Sequence, residues 1–422
     1  MPKNILYFAE NAISPIQGGG IVVYATLMGL PPENLLGVYQ YGHITPAAEY
    51  AGRLHLLPRL LRSSEQTEEL MLPSHPASRY REEPAAVALI RPFLGPLLDS
   101  LAPAYVRHVS DLVRSDGFQP EIVFTAPLSL RMLLLAIAAA KRYGVPIVML
   151  NMDDWMSEES ARFGSLQPLW KRLIERAMAA AKPHVAYAYS NSARLAGLLN
   201  DRYGIPHDTM NNASPDLLAG RTSWNPPVVR AKTVITFAGA MNWNLQGQTL
   251  VRVAEAITEL RTERDVELRI FAPWEFAPLA NMISVPGAVT YCGFRRGRGL
   301  ADAYLDSDFL ILTTTFQNER IPLFRHSLAT KLSDYLCAGR PVLSVGHPDW
   351  AVHDYVEQNG CGIATRRSER TEVKLQLMRA LEMSADDRVR IGKQNRELWE
   401  RAHDVRVMAK KVRAILGIES AS

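Results

Sequence analysis

The feature that most constrains this chain is a rhythm. Short apolar runs alternate with helix-length segments, and the rhythm occurs twice. Asn4–Ala9, Leu35–Gln40, Ile122–Thr125, Val145–Leu150 and Val185–Tyr189 read as buried strands. Between them lie Gly20–Leu30, about Ala85–Arg114, Leu128–Tyr143 and Pro168–Ala181, each long enough for a helix. Strands buried on both faces read as continuous apolar runs, and parallel strands need a helical crossover. Arg53–Glu83, rich in Arg, Pro and Ser, interrupts the pattern with long loops. Asn211–Pro227, ending Trp224-Asn225-Pro226-Pro227, reads as an interdomain linker. The rhythm then restarts. Strand Thr233–Gly239 leads into a helix near Leu245–Leu260, where Leu250, Val253, Ala254 and Ile257 share one face. Strands Glu267–Phe271, Val289–Tyr291, Phe309–Thr313 and Pro341–Val345 follow. The expected fold is α/β: two Rossmann-like, doubly wound parallel-sheet domains facing across a cleft, with ligands at the carboxyl ends of the strands. The expected boundaries are 1–215, 216–395 and a final helix, 396–422.

Composition removes several classes. The chain has 422 residues, 47% hydrophobic and 21% charged, which excludes disorder and fibrous repeats. A net charge of +4 is too small to argue for nucleic acid. Cys292, Cys337 and Cys361 form no CxxC pair, which argues against a disulfide scaffold or structural zinc and fits a reducing, cytoplasmic setting. Ile5–Ala9 is far short of a signal-peptide core. The longest apolar run, Met132–Ala140, falls short of the ~20 residues that span a bilayer. The segment Ser384–Gly417 is helical and basic, with Lys393, Arg396, Arg401, Arg406, Lys410, Lys411 and Arg413. It is either a solvated helix face or a peripheral contact with an anionic inner membrane surface.

The run from Ser327 to Pro341 carries the most chemistry. Leu328, Leu332 and Tyr335 line one helical face, Gly339 supplies the C′ position, and Ser327 or Thr330 is the expected N-cap. Ser327, Lys331 and Asp334 fall on the opposite stripe. A helix amino terminus attracts phosphate, and a hydroxyl and a lysine add donors and charge. A carboxylate one turn deeper can accept two ribose hydroxyls. These are the parts needed to hold a nucleoside diphosphate; a capped surface helix with a Lys–Asp pair accounts for the same residues.

Three further segments sit where strands end. Gly18, Gly19 and Gly20 permit a close backbone approach for a phosphate or sugar, or form a structural turn. They do not make a G-x-G-x-x-G fingerprint. Asp153, Asp154 and Trp155 follow the Val145–Leu150 strand. One carboxylate suits an acceptor hydroxyl and the other a helix cap, while Trp155 can stack on a sugar. Two caps with a core Trp, or a metal pair, are the alternatives. Asn242 and Asn244, past the Thr233–Gly239 strand, can bind phosphate or sugar hydroxyls, and Asn244 equally suits an N-cap. His347, Asp349, His353 and Asp354 look ligand-rich, yet Asp349 reads as an N-cap rather than a metal ligand. Asn212-Ala213-Ser214 fits a glycosylation sequon with nothing to suggest secretion. Neither a P-loop nor a G-x-S-x-G elbow occurs.

The order of these segments resembles bacterial GT-B glycosyltransferases, and most nearly glycosyltransferase family four. The resemblance rests on the amino-terminal glycine loop, the Asp153-Asp154-Trp155 segment, Tyr203-Gly204, and above all Ser327-x-x-Thr330-Lys331-x-x-Asp334-Tyr335-Leu336-x-x-Gly339-Arg340-Pro341-Val342-Leu343. It implies an acceptor-binding first domain, a nucleotide-sugar-binding second domain and a last helix packing back on the first. The family's ribose-holding acid, usually glutamate, maps onto Asp334, and its frequent acidic partner eight positions upstream onto His326. The implied activity is glycosyl transfer from a nucleoside-diphosphate sugar to a hydroxyl of a glycan or glycolipid, with retention, without an essential metal or other cofactor, in surface polysaccharide or glycoconjugate synthesis. The implied donor contacts are Gly18, Gly19, Gly20, Asn242, His326, Ser327, Thr330, Lys331 and Asp334; Asp153 and Asp154 serve catalysis and Trp155 the acceptor. A nucleotide-sugar epimerase, or a non-catalytic nucleotide-sugar-binding protein, would use the same donor site.

Overall fold

The computed structural model describes residues 2–15, 19–41, 44–57, 105–157, 167–219, 231–318 and 321–418. Gly18, the first part of the Ala85–Arg114 helix and residues 220–227 of the expected linker lie outside them. The described residues divide into two compact units.

The first unit holds a seven-stranded sheet. Its strands are β1 (Ile5–Ala9), β2 (Leu35–Tyr39), β3 (Leu54–Leu56), β4 (Ile122–Ala126), β5 (Ile147–Asn151), β6 (Val185–Ser190) and β7 (His207–Thr209), in the order β3-β2-β1-β4-β5-β6-β7. Every pairing is parallel, and Ile5 of β1 sits opposite Leu35 and Ile122. β1, β2, β4 and β5 are buried at every position, which is why each reads as an apolar run. Ser129 and Ser192 cap the helices Leu130–Tyr143 and Ala193–Tyr203 by accepting from the amides of Met132 and Leu195. Gly144 and Gly204 end the same helices in the left-handed region.

The second unit holds six parallel strands: β8 (Thr233–Ala238), β9 (Val266–Phe271), β10 (Val289–Tyr291), β11 (Phe309–Thr313), β12 (Val342–Val345) and β13 (Gly362–Thr365), in the order β10-β9-β8-β11-β12-β13. The helix Gln248–Leu260 buries Leu250, Val253, Ala254 and Ile257, the face its spacing predicts. Arg340 is buried and donates to the carbonyls of Leu305, Ser307, Ala338 and Gly339, tying the turn before β12 to the Gly297–Leu305 helix. In both sheets the strand order reverses once, at β1/β4 and at β8/β11. Such a reversal opens a crevice at the carboxyl ends of the two central strands.

Three elements depart from the sequence expectations. β3, β7 and β13, all at sheet edges, are too short and too unevenly buried to stand out as apolar runs. The first part of the expected linker is not loose chain. The Ser214 amide donates to the His403 carbonyl (3.0 Å), the Val405 amide donates to the Ser214 carbonyl (3.2 Å), and Asp216 takes a two-pronged pair from Arg396. Asn212 and Ser214 are both buried, so the sequon is not presented at the surface. The chain does not turn back to the first unit at 396. That position lies inside one continuous helix, Ala385–Ala402, anchored in the second unit by Arg396 and the fully buried Trp399. The return comes with the helix Lys410–Leu416. There the Lys3 amide donates to the Leu416 carbonyl, Arg413 donates to the Met28 carbonyl, and Lys411 pairs with Asp208. Among the described residues no helix is long and apolar enough to cross a membrane.

Candidate functional site

The β8/β11 reversal of the second unit brings together the residues that the sequence groups. The helix Thr330–Cys337 forms the crossover from β11 to β12, so its amino end stands on the carboxyl side of the sheet. Tyr335 fastens it there. Its hydroxyl accepts from the Ala238 amide at the end of β8 (3.2 Å) and donates to the Ile311 carbonyl of β11 (3.3 Å). Leu328, Leu332 and Tyr335 are buried beneath the helix, as their spacing predicts, and Gly339 closes it with φ +62. The helix starts later than expected, with Ala329 as an N-cap that has no side-chain bond. Ser327 lies in the segment before it and Thr330 is its first residue, so neither caps it. The Ser327 hydroxyl is buried and has no hydrogen-bond partner among the described residues.

Lys331 reaches from the first turn of this helix to the end of β8. A Cβ built on Gly239 would overlap the Lys331 Nζ and Cε atoms. Gly239 also has φ +133, so neither its backbone nor the space around it admits a side chain. The lysine ammonium thus lies on a bare stretch of backbone at the mouth of the crevice. Burial lowers its pKa below the ordinary lysine value, opposed by the charge of Asp334. Asp334, one turn deeper and partly exposed, has its carboxyl pushed up to about 6 by burial; Lys331 and a hydrogen bond from the Ser214 hydroxyl act the other way. Both charges are held partly desolvated, as suits groups that gain a polar ligand.

The neighbouring loops carry hydrogen bonds of their own. Past Gly239, the amides of Leu245, Gln246 and Gly247 converge on the Asn242 carbonyl and form a wide turn before the Gln248–Leu260 helix. Asn244 lies inside that turn, so it is not an N-cap. Asp349 does not cap its helix either: the N-cap is Trp350, and the Asp349 carboxylate pairs with Arg325. His347 shares a hydrogen bond with Asn318, and His353 sits between the Ser344 hydroxyl and the Gly346 carbonyl. Burial lowers the His353 pKa to about 4, so it is a neutral structural link. His326 is partly exposed, just before Ser327.

In the first unit, Gly19 and Gly20 open the Gly20–Leu27 helix. Their role is space rather than unusual backbone, since Gly19 has φ −63. A Cβ on Gly20 would strike the Ala12 carbonyl and Ser14; one on Gly19 would press on the Met152 methyl at 2.7 Å. The glycine turn therefore lies against the segment that carries Asp153. The adjacent carboxylates have separate surroundings. Asp154 is buried, accepts from the Ser157 amide (3.2 Å), and pairs with Arg202 (3.5 Å). Asp153 is partly exposed. Trp155 is buried, so its ring is a packing element and does not offer a face to a sugar. Among the described residues no cluster of three His, Cys, Asp or Glu gathers as a metal site.

Two groups escape the sequence reading. Glu10, directly after β1 at the β1/β4 reversal, is buried and accepts from the Leu128 amide (2.6 Å) and the Ser129 hydroxyl (2.5 Å). Burial pushes its carboxyl up to about 7, against those two hydrogen bonds. A charged residue ending a buried strand is a signal the sequence does contain. Ser214 is the other; it sits in a stretch with no periodicity to mark it.

No family model and no curated protein matches the chain. Solved structures do. A sucrose-phosphate synthase from Thermosynechococcus elongatus superposes with TM-score 0.64 at 12% identity, covering 98% of each chain. A UDP-forming α,α-trehalose-phosphate synthase from Burkholderia xenovorans, in complex with glucose-6-phosphate, gives 0.60 at 12% identity, over 98% of this chain and 100% of its own. The Anabaena protein HepE, in complex with UDP and glucose, gives 0.60 at 12% identity over 98% and 99%. The fold of this chain is the GT-B architecture of such glycosyltransferases: two parallel-sheet α/β units among the described residues.

Proposed function

We propose that this chain is a glycosyltransferase of the family-four type that takes its sugar from a nucleoside-diphosphate donor held in the second unit. The observation that carries the reading is Lys331 lying on Gly239 at the β8/β11 reversal, with Asp334 one turn deeper on the same helix. A pyrophosphate there meets one ammonium and the free amides of a helix start, with the Ser327 and Thr330 hydroxyls nearby. These groups stabilise the charge that develops on the departing diphosphate. Asp334 accepts the two ribose hydroxyls. The structural neighbours named with UDP make a UDP-sugar the first donor to try.

On the acceptor side, Asp153 is the carboxylate that assists the attacking hydroxyl, because it is partly exposed whereas Asp154 is buried. Gly19 and Gly20 supply close backbone approach beside it. Retention at the anomeric carbon and a glycan or glycolipid acceptor complete the reading. Exposed Lys410 and Lys411, on the last helix of the first unit, suit contact with an anionic membrane surface.

The test is a panel of UDP, GDP and ADP, read by thermal shift, with donor turnover followed by product analysis. Lys331→Ala and Asp334→Ala abolish the nucleotide-induced shift. If no nucleotide stabilises the wild-type protein, the donor site is misassigned. If the donor is turned over to an altered free nucleotide sugar without transfer, the protein is an epimerase instead.

A further inference from the structure

Ser214 is the first described residue of the second unit, and its place is fixed from three sides. Its backbone is bound to His403 and Val405, and it pairs in parallel with Asp404 as a single β-bridge. Its hydroxyl oxygen accepts the indole N–H of Trp399 at 3.1 Å. Trp399 is fully buried, with the Arg396 guanidinium 4.4 Å above its ring. With one lone pair of the oxygen taken by the indole, the hydroxyl proton is directed elsewhere, and it goes to the Asp334 carboxylate. A buried Trp therefore orients a Ser, and the Ser orients the acid of the donor site.

We infer that Ser214 is a positioning residue for nucleotide binding: its hydroxyl, aimed by Trp399, holds the Asp334 carboxylate as the acceptor for vicinal ribose hydroxyls. The inference rests on the donor reading above and adds the residue that makes the carboxylate competent. Asp334 faces Lys331 and Tyr335 from its own helix, Cys337 further along it, Tyr304 from the Gly297–Leu305 helix, and Ser214. Burial pushes Tyr304, Tyr335 and Cys337 upward, so they stay neutral near pH 7. Lys331 and Ser214 are what keep the acid ionised against burial. Removing the hydroxyl raises the pH at which Asp334 gains its proton, and the protonated acid accepts from ribose poorly.

The experiment measures UDP affinity between pH 5 and 8 by calorimetry. Wild-type affinity falls below about pH 6, the value to which burial raises Asp334. In Ser214→Ala the midpoint moves up by about one unit, which makes binding about fivefold weaker at pH 6 and changes it little at pH 8. Ser214→Thr, which keeps the hydroxyl, restores the wild-type midpoint. Trp399→Phe, which keeps an aromatic ring and removes the N–H, shifts the midpoint in the same direction and serves if Ser214→Ala does not fold. Asp334→Ala binds weakly at every pH, with no midpoint. A wild-type profile in both Ser214→Ala and Trp399→Phe overturns the positioning role while the donor site stands. Undiminished UDP binding by Asp334→Ala overturns the donor reading, and this inference with it.

Discussion

Asp334→Asn is expected to make the unliganded protein more stable and to remove nucleotide binding. Burial raises the Asp334 carboxyl from 3.8 to about 6, so the folded state holds its proton more tightly than the unfolded state does. For an acid displaced in this direction, stability is greatest below the unfolded pKa. It declines as pH rises from about 4 to 6 and is flat and lower above that. A displacement of about two units corresponds to about 3 kcal/mol. Asp334 is partly exposed, and solvent screening reduces this to about 1–2 kcal/mol. In a unit of this size that is a rise of about 3–6 °C in the unfolding midpoint at pH 7.5, shrinking towards zero near pH 4. Differential scanning calorimetry at several pH values reads the stability, and isothermal titration with UDP reads the binding. An Asn variant that melts below wild type at pH 7.5, or that binds UDP unchanged, refutes the argument that the carboxylate is kept at a cost for its ligand.

Other perturbations separate the remaining roles. Asp154→Ala loses the Ser157 cap and the Arg202 pair and costs about 1 kcal/mol of stability, whereas Asp153→Asn lowers turnover; denaturation of the first variant and kinetics of the second decide this. Glu10→Gln removes a buried acid raised to about 7, so the decline in stability between about pH 4.5 and 7 that the wild type shows through this group is absent from the variant's melting curves. Gly239→Ala forces a side chain into the left-handed region and into Lys331, costing about 1–3 kcal/mol in chemical denaturation and weakening nucleotide binding along with it.

The sheets were legible because each central strand is buried on both faces and so leaves an unbroken apolar run. Val342–Val345, for example, is fully buried and follows the Gly339-Arg340-Pro341 stop. The Thr330–Cys337 helix was legible for a related reason: Leu328, Leu332 and Tyr335 must all be buried against the sheet, which leaves the partly exposed Lys331 and Asp334 on the adjoining stripe. Its starting residue was not. A hydroxyl at 327 or 330 suggests a cap, yet the backbone begins the helix without one. Contacts between distant stretches were also out of reach. Nothing local to Ser214 announces Trp399, 185 residues later, and nothing local to Asp154 announces Arg202. The two acids of the Asp153-Asp154 pair are alike in sequence and become different through partners that only folding supplies.

The last helix has a bearing on how the molecule is made. Residues 214–407 form one uninterrupted stretch of the second unit, while the first unit is completed by residues from 408 onward. Val412, Leu416 and Ile418 are buried, and the Lys3 amide finds its acceptor at Leu416. During translation, then, the stretch made first cannot finish folding first. The surface that Val412, Leu416 and Ile418 cover stays bare until the residues after 408 have been made. Loss of residues 411–418 would spare the second unit and leave the first with apolar surface bare and prone to aggregation.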